Sequence, residues 1–400
     1  MSSLTKEKKH VLWLTFGLVI LSWISLKIVL PALPVLPGAF QCSESGIKLS
    51  VSLYLLFFAL TQPIWGGMVQ KMGSQKTMFI GLFIAATGSL VVLFSNSLTL
   101  YIIGRSMEGI GFGAASPIGR TWLTRYFDRK ELASFIGIIT GAAAAMPAVG
   151  PIIGGFLSVH IGWRAIFGFM LLLTVMFILA MRKWLPRENS IAVKDEEGLL
   201  RVYFSILTNK LFWGYTLPYA AMLGGLLGYY SAMPYWYHTQ LGVSQHLFSF
   251  LAVPTVSMYI LGLAFVSRMV RKYDVDKLLF FGLILFLIFV IAASIPGILG
   301  MKGVFTIVAI MSVAAFAIGL VVPSANAGVL TNFKHVAAPV SAMVGVVIFS
   351  FSSLTSYIAM NLQVKDTIWP LVCYLGALSV ISTVVGYFWL WRATKKAVRQ

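Results

Sequence analysis

Twelve stretches of about twenty predominantly apolar residues recur along the chain, and no other feature restricts its fold as tightly. The hydrocarbon layer of a bilayer is about 30 Å thick, a distance that a helix covers in about 20 residues. Inside lipid every backbone N–H and C=O must be satisfied within the protein, so such a run crosses as a helix. Measured this way, the spans fall near residues 11–30, 46–67, 77–95, 99–118, 133–156, 164–184, 211–233, 246–267, 278–296, 303–324, 338–360 and 369–391. The long charged stretch inside the chain, roughly 185–210, divides them six and six. The expected fold is an all-α membrane protein of twelve transmembrane helices. It is organised as an N-terminal six-helix bundle over 1–184, a cytoplasmic linker over 185–210 and a C-terminal six-helix bundle over 211–400.

Composition points the same way. Only 10% of the 400 residues are charged and 59% are apolar, against about 25% charged in a soluble domain. Lipid must therefore cover most of the surface. The net charge of +18 does not imply nucleic acid, because the cations sit in short clusters between apolar runs. Of 30 Lys and Arg, 24 fall on one set of termini and loops and four (Lys48, Arg164, Lys302, Lys365) on the other, with Lys27 and Arg105 inside spans. The positive-inside rule then places both termini in the cytoplasm of a bacterial-type inner membrane. The apolar run after Lys6, Lys8 and Lys9 exceeds a signal-peptide core and reads as an uncleaved first helix. Two cysteines, Cys42 and Cys373, are too few for a disulfide framework or a cysteine metal site.

The two halves repeat. Gly67-Met68-Val69-Gln70-Lys71 matches Arg268-Met269-Val270-Arg271-Lys272, and Lys76 and Gly81 match Lys277 and Gly282, all at an offset of 201. Ala32-Leu33-Pro34 matches Ala232-Met233-Pro234, while Gly113 and Pro117 match Gly319 and Pro323. A parallel duplication of this kind implies pseudo-symmetric bundles with a midplane binding cavity between them.

These motifs resemble those of the major facilitator superfamily, and within it the twelve-helix drug–proton antiporters of the Bcr/CflA-like group. Gly150-Pro151-Ile152-Ile153-Gly154-Gly155 in the fifth span looks like the antiporter motif of that superfamily. Gly162-Trp163-Arg164 with Phe167, Arg105-Ser106-Met107-Glu108-Gly109 running on to Gly111 and Gly113, and Leu30-Pro31-Ala32-Leu33-Pro34 are similar to segments of the same relatives. Tyr203–Asn209 resembles their lead-in to the seventh span, and Arg120, Arg125 and Asp128 a loop pattern of theirs. The loop motif built on Gly67, Lys71, Gly73 and Lys76 departs from the family: Gln70 replaces an acidic residue and Ser74 an arginine, which weakens a charge-based latch. Lys27 stands where relatives carry a carboxylate, so a proton cycle at that position cannot operate here.

A charge in the bilayer interior costs about 2.5–3.5 kcal/mol on insertion scales, and each is a functional candidate. Lys27, Arg105 and Glu108 stand well inside the spans. Arg105 and Glu108, three apart, share a helix face, and with Lys27 at similar depth the three form one expected cluster. In the functional account Lys27 and Arg105 attract an anionic substrate group and Glu108 carries the driving proton. In the structural account Glu108 neutralises Arg105, and Lys27 snorkels to the outer interface. For the glycines and prolines of Gly150–Gly155, helix packing and a leak-proof hinge are both open, with Gly137, Gly141 and Ala142–Ala145 extending the same close-packing face. Tyr219, Tyr230 and Asn326 are candidate ligand hydrogen-bonding groups, with helix-to-helix bonding as the alternative; Tyr229 belongs with them. His238, beside Tyr235, Trp236 and Tyr237, reads as part of an interfacial aromatic belt or as a titrating group. Residues 185–210 read as a surface linker carrying a short amphipathic helix.

No phosphate loop of Gly-x-x-x-x-Gly-Lys form, His-Glu-x-x-His or nucleophile elbow occurs, so neither ATP hydrolysis nor another enzymatic activity is expected. No cofactor and no metal are expected either. The sequence leads to a monomeric secondary transporter working by alternating access, with protons as the coupling ion and an amphiphilic or anionic small molecule as exported substrate. A siderophore or organic-acid carrier is the alternative within transporters, and a non-transporting sensor on the same fold the alternative outside them.

Overall fold

The computed structural model describes residues 5–127, 129–185, 198–248, 250–270, 272–333 and 336–397. Asp128 and Arg271, named above, and residues 186–197 of the expected linker lie outside them. By contact the chain forms two compact units, Met1–Leu199 and Leu200–Gln400.

The first unit contains α1 (Lys6–Lys27), a 3-10 turn over Leu30–Val35, α2 (Leu36–Phe40), α3 (Glu44–Leu60), α4 (Gln62–Met72) and α5 (Ser74–Leu93). It continues with α6 (Leu98–Phe112), α7 (Ala115–Tyr126), α8 (Arg129–His160) and α9 (Arg164–Trp184). The second unit contains α10 (Leu199–Thr208), α11 (Lys210–Met233), a π-helical stretch over Pro234–Gln240, α12 (Gln245–Phe248) and α13 (Ala252–Met269). It closes with α14 (Val275–Ile298), α15 (Val304–Asn332), α16 (Ala337–Met360) and α17 (Trp369–Ala397). Every regular element among the described residues is helical.

Local chemistry sets the helix ends. Ser97 caps α6 by accepting from Leu100 N, and Asn209 caps α11 by accepting from Leu211 N, each satisfying a backbone donor that the first turn leaves open. Gly162, at φ +114°, turns the chain between α8 and α9 while its N–H and that of Ile161 both reach the Leu157 carbonyl. A side chain there would be strained, which explains the glycine. Gly73, at φ +86°, does the same between α4 and α5.

Among the described residues, ten helical segments are long and apolar enough to cross a membrane. The expected fourth and seventh spans are helical but fall outside that set. The fourth is broken into α6 and α7 and holds Arg105 and Glu108. The seventh, α11, is rich in glycine and tyrosine, and nearly every side chain from Phe212 to Met233 is buried or half-buried. A helix shielded by protein need not be as apolar as one that faces lipid.

The two units repeat one neighbour map. In the first, α6 packs against α3 and α5, α1 against α7, α8 and α9, and α5 against α9. In the second, α15 packs against α13 and α14, α11 against α15, α16 and α17, and α14 against α17. The glycines matched in sequence occupy matched contacts. A Cβ at Gly113 would lie 2.9 Å from the Phe58 carbonyl oxygen, and one at Gly319 would lie 2.5 Å from the Tyr259 carbonyl oxygen. Gly81 lies against α6 and Gly282 against α15 in the same way.

Candidate functional site

A regular helix turns about 100° per residue, which sorts the motif of α6 into two faces. Gly104, Glu108 and Gly111 fall on one; Arg105, Gly109 and Gly113 fall on the other. The first faces α5. A Cβ at Gly104 would lie 2.8 Å from the Gly88 carbonyl oxygen, and one at Gly88 would lie 2.7 Å from the Gly104 carbonyl oxygen. With nothing but hydrogen on both sides the helices close up, and Ser89 of α5 donates a hydrogen bond to Glu108 Oε1 at 2.5 Å. The second face meets α3. Gly109 rests on the Tyr54 backbone, where a Cβ would lie 2.5 Å from its carbonyl oxygen. That contact puts the Tyr54 ring 4.4 Å from the Arg105 guanidinium carbon.

Arg105 Nη1 donates to Glu108 Oε2 at 2.5 Å, so the two faces are joined by a charge-assisted bond. Both side chains are buried, Arg105 at 2% exposure and Glu108 at 1%. Phe167 of α9 flanks the guanidinium from a second side, 5.8 Å from its carbon. Beyond it an aromatic column runs through Tyr101, Trp163 and Phe40. Arg164 ends the column: its guanidinium stacks on Trp163 at 4.2 Å and donates to the Ser95 carbonyl at 2.7 Å. The Gly162-Trp163-Arg164 segment thus caps the aromatic column whose other end holds Arg105. Among the described residues Arg105 Nε is buried without a hydrogen-bond partner.

The expected cluster of three charges divides. Ser25 of α1 hydrogen-bonds the Tyr54 hydroxyl at 2.7 Å, which aims that face of α1 at the Arg105 side. Lys27, two residues on, is turned about 200° away. Its Cβ lies against α8, 2.9 Å from the position that a Cβ on Gly150 would take. Lys27 is 1% exposed, so the expectation that it snorkels to water is corrected: protein, not the interface, surrounds it. Gly154, one turn along α8, fits directly onto the Ile28 backbone carbonyl. Gly150, Pro151, Gly154 and Gly155 are all buried, and α8 runs through Pro147 and Pro151 as one helix. The close-packing face does not extend to Gly141, which is exposed and has open space where a Cβ would stand. Gly137 has no described side-chain environment.

In the loop motif Lys71 and Lys76 are exposed, Gly67 and Gly73 half-buried. Ser74, in the arginine place, accepts from Trp122 Nε1 of α7 at 2.8 Å. A neutral hydrogen bond stands there in place of a charged one. Lys48, assigned by sequence to a loop, is buried in α3 and paired with Glu44 at 3.3 Å. The Glu–x–x–x–Lys spacing was the signal for that pair.

In the second unit Tyr230 is buried and Tyr219 half-buried on α11, both within electrostatic reach of Tyr259 on α13. Tyr229 exchanges a hydrogen bond with Tyr237 at 2.9 Å. Asn326 is half-buried on α15. The aromatic belt expected around His238 is corrected. Tyr235, Trp236 and Tyr237 are buried, and Trp236 Nε1 donates to the Ala359 carbonyl at 3.0 Å. The stretch is wound as a π-helix, and these three side chains pack into protein.

Residues 15–357 match the model of the Major Facilitator Superfamily. The chain belongs to the major facilitator superfamily. Among its relatives, the chloramphenicol resistance protein of Pseudomonas aeruginosa is 27% identical over 92% of this chain and 87% of its own length. Multidrug resistance protein D of Escherichia coli is 24% identical over 80% of each chain. The bicyclomycin resistance protein homolog of Haemophilus influenzae is 24% identical over 90% of each. These relatives match the resemblance to Bcr/CflA-like antiporters read from the motifs. The chain is thus a multi-pass membrane transporter of small molecules, and not an enzyme.

Sequence reasoning found Arg105 and Glu108 but missed Ser89, Tyr54 and Tyr101, which complete their surroundings with Phe167, named above only as part of a motif. Gly88 and Gly104 were available as a signal, since small residues on facing spans mark where two backbones meet.

Proposed function

We propose that this superfamily member exports small amphiphilic compounds from the cytoplasm in exchange for protons, by alternating access, with both termini cytoplasmic in a bacterial plasma membrane. The observation that carries the reading is Glu108, a carboxylate buried at the middle of a span and held by Arg105 and Ser89. Deep in hydrocarbon such a group costs stability, which makes its presence there a functional candidate by default. Protonating Glu108 cancels the charge that compensates Arg105, and the guanidinium must then find another anion or rearrange. A carboxylate whose protonation frees a buried cation offers a link through which proton and substrate binding can be made to alternate. The drug-resistance names of the relatives support efflux as the direction. Tyr219, Tyr230 and Asn326 are proposed as substrate-facing groups, and Gly67, Lys71, Gly73, Lys76, Gly150, Pro151, Gly154 and Gly155 as the positions that govern conformational exchange.

Everted vesicles given a pH gradient test this, with chloramphenicol as the first compound. The wild type should accumulate it when the lumen is acidic and stop when the gradient is collapsed. Glu108→Gln should abolish gradient-driven accumulation while leaving slow equilibration measurable; undiminished accumulation would refute the coupling role.

A second reading is favoured by Lys27. A buried ammonium is suited to an anionic partner, as a carboxylate-bearing siderophore or organic acid would supply. Lys27→Gln should then weaken transport of anionic compounds selectively. Gradient-driven flux of any compound removes the sensor alternative.

A further inference from the structure

A groove of about 580 Å³ runs along the first unit between α1 and α9. Gly17, Leu21, Leu173, Phe177 and Ala180 wall it, and Lys183 and Trp184 form one end. Lys183 is the only charged residue in its lining. A Cβ at Gly17 would lie 3.1 Å from the Phe177 ring, so the glycine leaves room for that ring at the floor. From Leu173 to Trp184 the groove follows α9 for about 16 Å at 1.5 Å per residue. That is roughly half of the ~30 Å hydrocarbon layer, the depth of one leaflet.

The end at Lys183 and Trp184 has a distinct chemistry. Trp184 stacks on His10 of α1 with ring centroids 5.6 Å apart. Arg182 and Lys183 are exposed beside it, as are Lys6 and Lys9 at the start of α1; Glu7 is the one acidic residue among these described neighbours. Lys183 forms no ion pair with any described residue. Tryptophan and lysine at the end of a span mark the level of lipid headgroups. Basic clusters at that level attract anionic lipid.

We propose that this groove is a binding site for one anionic phospholipid of the leaflet bordering the basic ends of α1 and α9. One acyl chain lies along α9 between Leu173 and Ala180, and the phosphate meets Lys183. The depth matches one leaflet, the volume falls within the ~300–1,000 Å³ of ordinary ligand pockets, and the charge at the mouth complements the headgroup. None of Lys27, Arg105 and Glu108 takes part, so the site stands apart from the proposed coupling machinery.

Native mass spectrometry of the full chain, purified and offered phosphatidylglycerol or phosphatidylcholine of matched chains, tests the site. One cation near the headgroup contributes about 1 kcal/mol, so the wild type should retain phosphatidylglycerol about five-fold better. Lys183→Gln should bring that ratio close to one. Ala180→Phe, which plugs the groove, should reduce retention of both lipids, with Leu173→Trp as the second plug if the first does not fold. Equal retention of the two lipids by the wild type overturns the proposal, and so does full retention by a folded plugged variant.

Discussion

At the scale of single residues, Arg105 and Glu108 stand or fall together. Each is buried, and each has its charge satisfied chiefly by the other. Removing one partner of such a pair costs about 3–5 kcal/mol, because the remaining charge is stranded; replacing both with apolar groups of similar size is often close to neutral. We expect Glu108→Leu and Arg105→Met each to lower the thermal unfolding midpoint in detergent sharply. The double variant should recover most of the loss and still fail to couple transport to protons. Arg105→Lys should not rescue, since an ammonium cannot stack flat on Tyr54 and Phe167 while holding the carboxylate. The pairing was legible from a spacing of three. The partners supplied by other spans were not, because no local pattern says which face of α5 or α3 turns toward α6.

At the scale of elements, glycine decides which helices touch. Gly154 lies on the Ile28 carbonyl, whereas a Cβ on Gly141 would meet nothing within 4 Å. Gly154→Val should therefore force α8 away from the end of α1 and abolish transport, with a large loss of folded yield. Gly141→Val should leave yield and thermal stability within experimental error; measuring both variants side by side separates packing at a defined contact from a general intolerance of larger residues. The sequence reading treated the whole small-residue run of α8 as one packing face. Composition shows only that a face is able to pack, while the neighbour's position shows where it does. The same limit explains α11, whose glycines and tyrosines made it a weak membrane span by hydropathy although its length and place in the repeat mark it as a full one.

At the scale of the whole molecule, the orientation inferred from the Lys and Arg count has a direct chemical reporter. Cys42 lies between α2 and α3, on the side expected to face out. A membrane-impermeant maleimide added to intact cells should label it. Cys373, on α17 in the expected hydrocarbon layer, should stay unlabelled until the membrane is dissolved. Burial raises the Cys42 thiol above its ordinary value, and the thiolate is the reactive form. Its labelling rate at pH 7 should therefore be lower than that of a free thiol, and should still be climbing above about pH 8.5, where a free cysteine is half ionised. Labelling of Cys42 only from the cytoplasmic face would reverse the proposed orientation.

Periodicity and charge by themselves determined that the chain crosses a membrane many times and that its halves repeat. These properties follow from how long each segment is and what each can expose to lipid or water, which a one-dimensional reading measures directly. The tertiary structure alone decided that Arg105 and Glu108 are clasped by α3, α5 and α9, that Lys27 turns to α8, and that the aromatics after α11 point inward. Those outcomes depend on the rotation of each helix about its axis and on the atoms its neighbours present, and both are fixed only once the helices are packed.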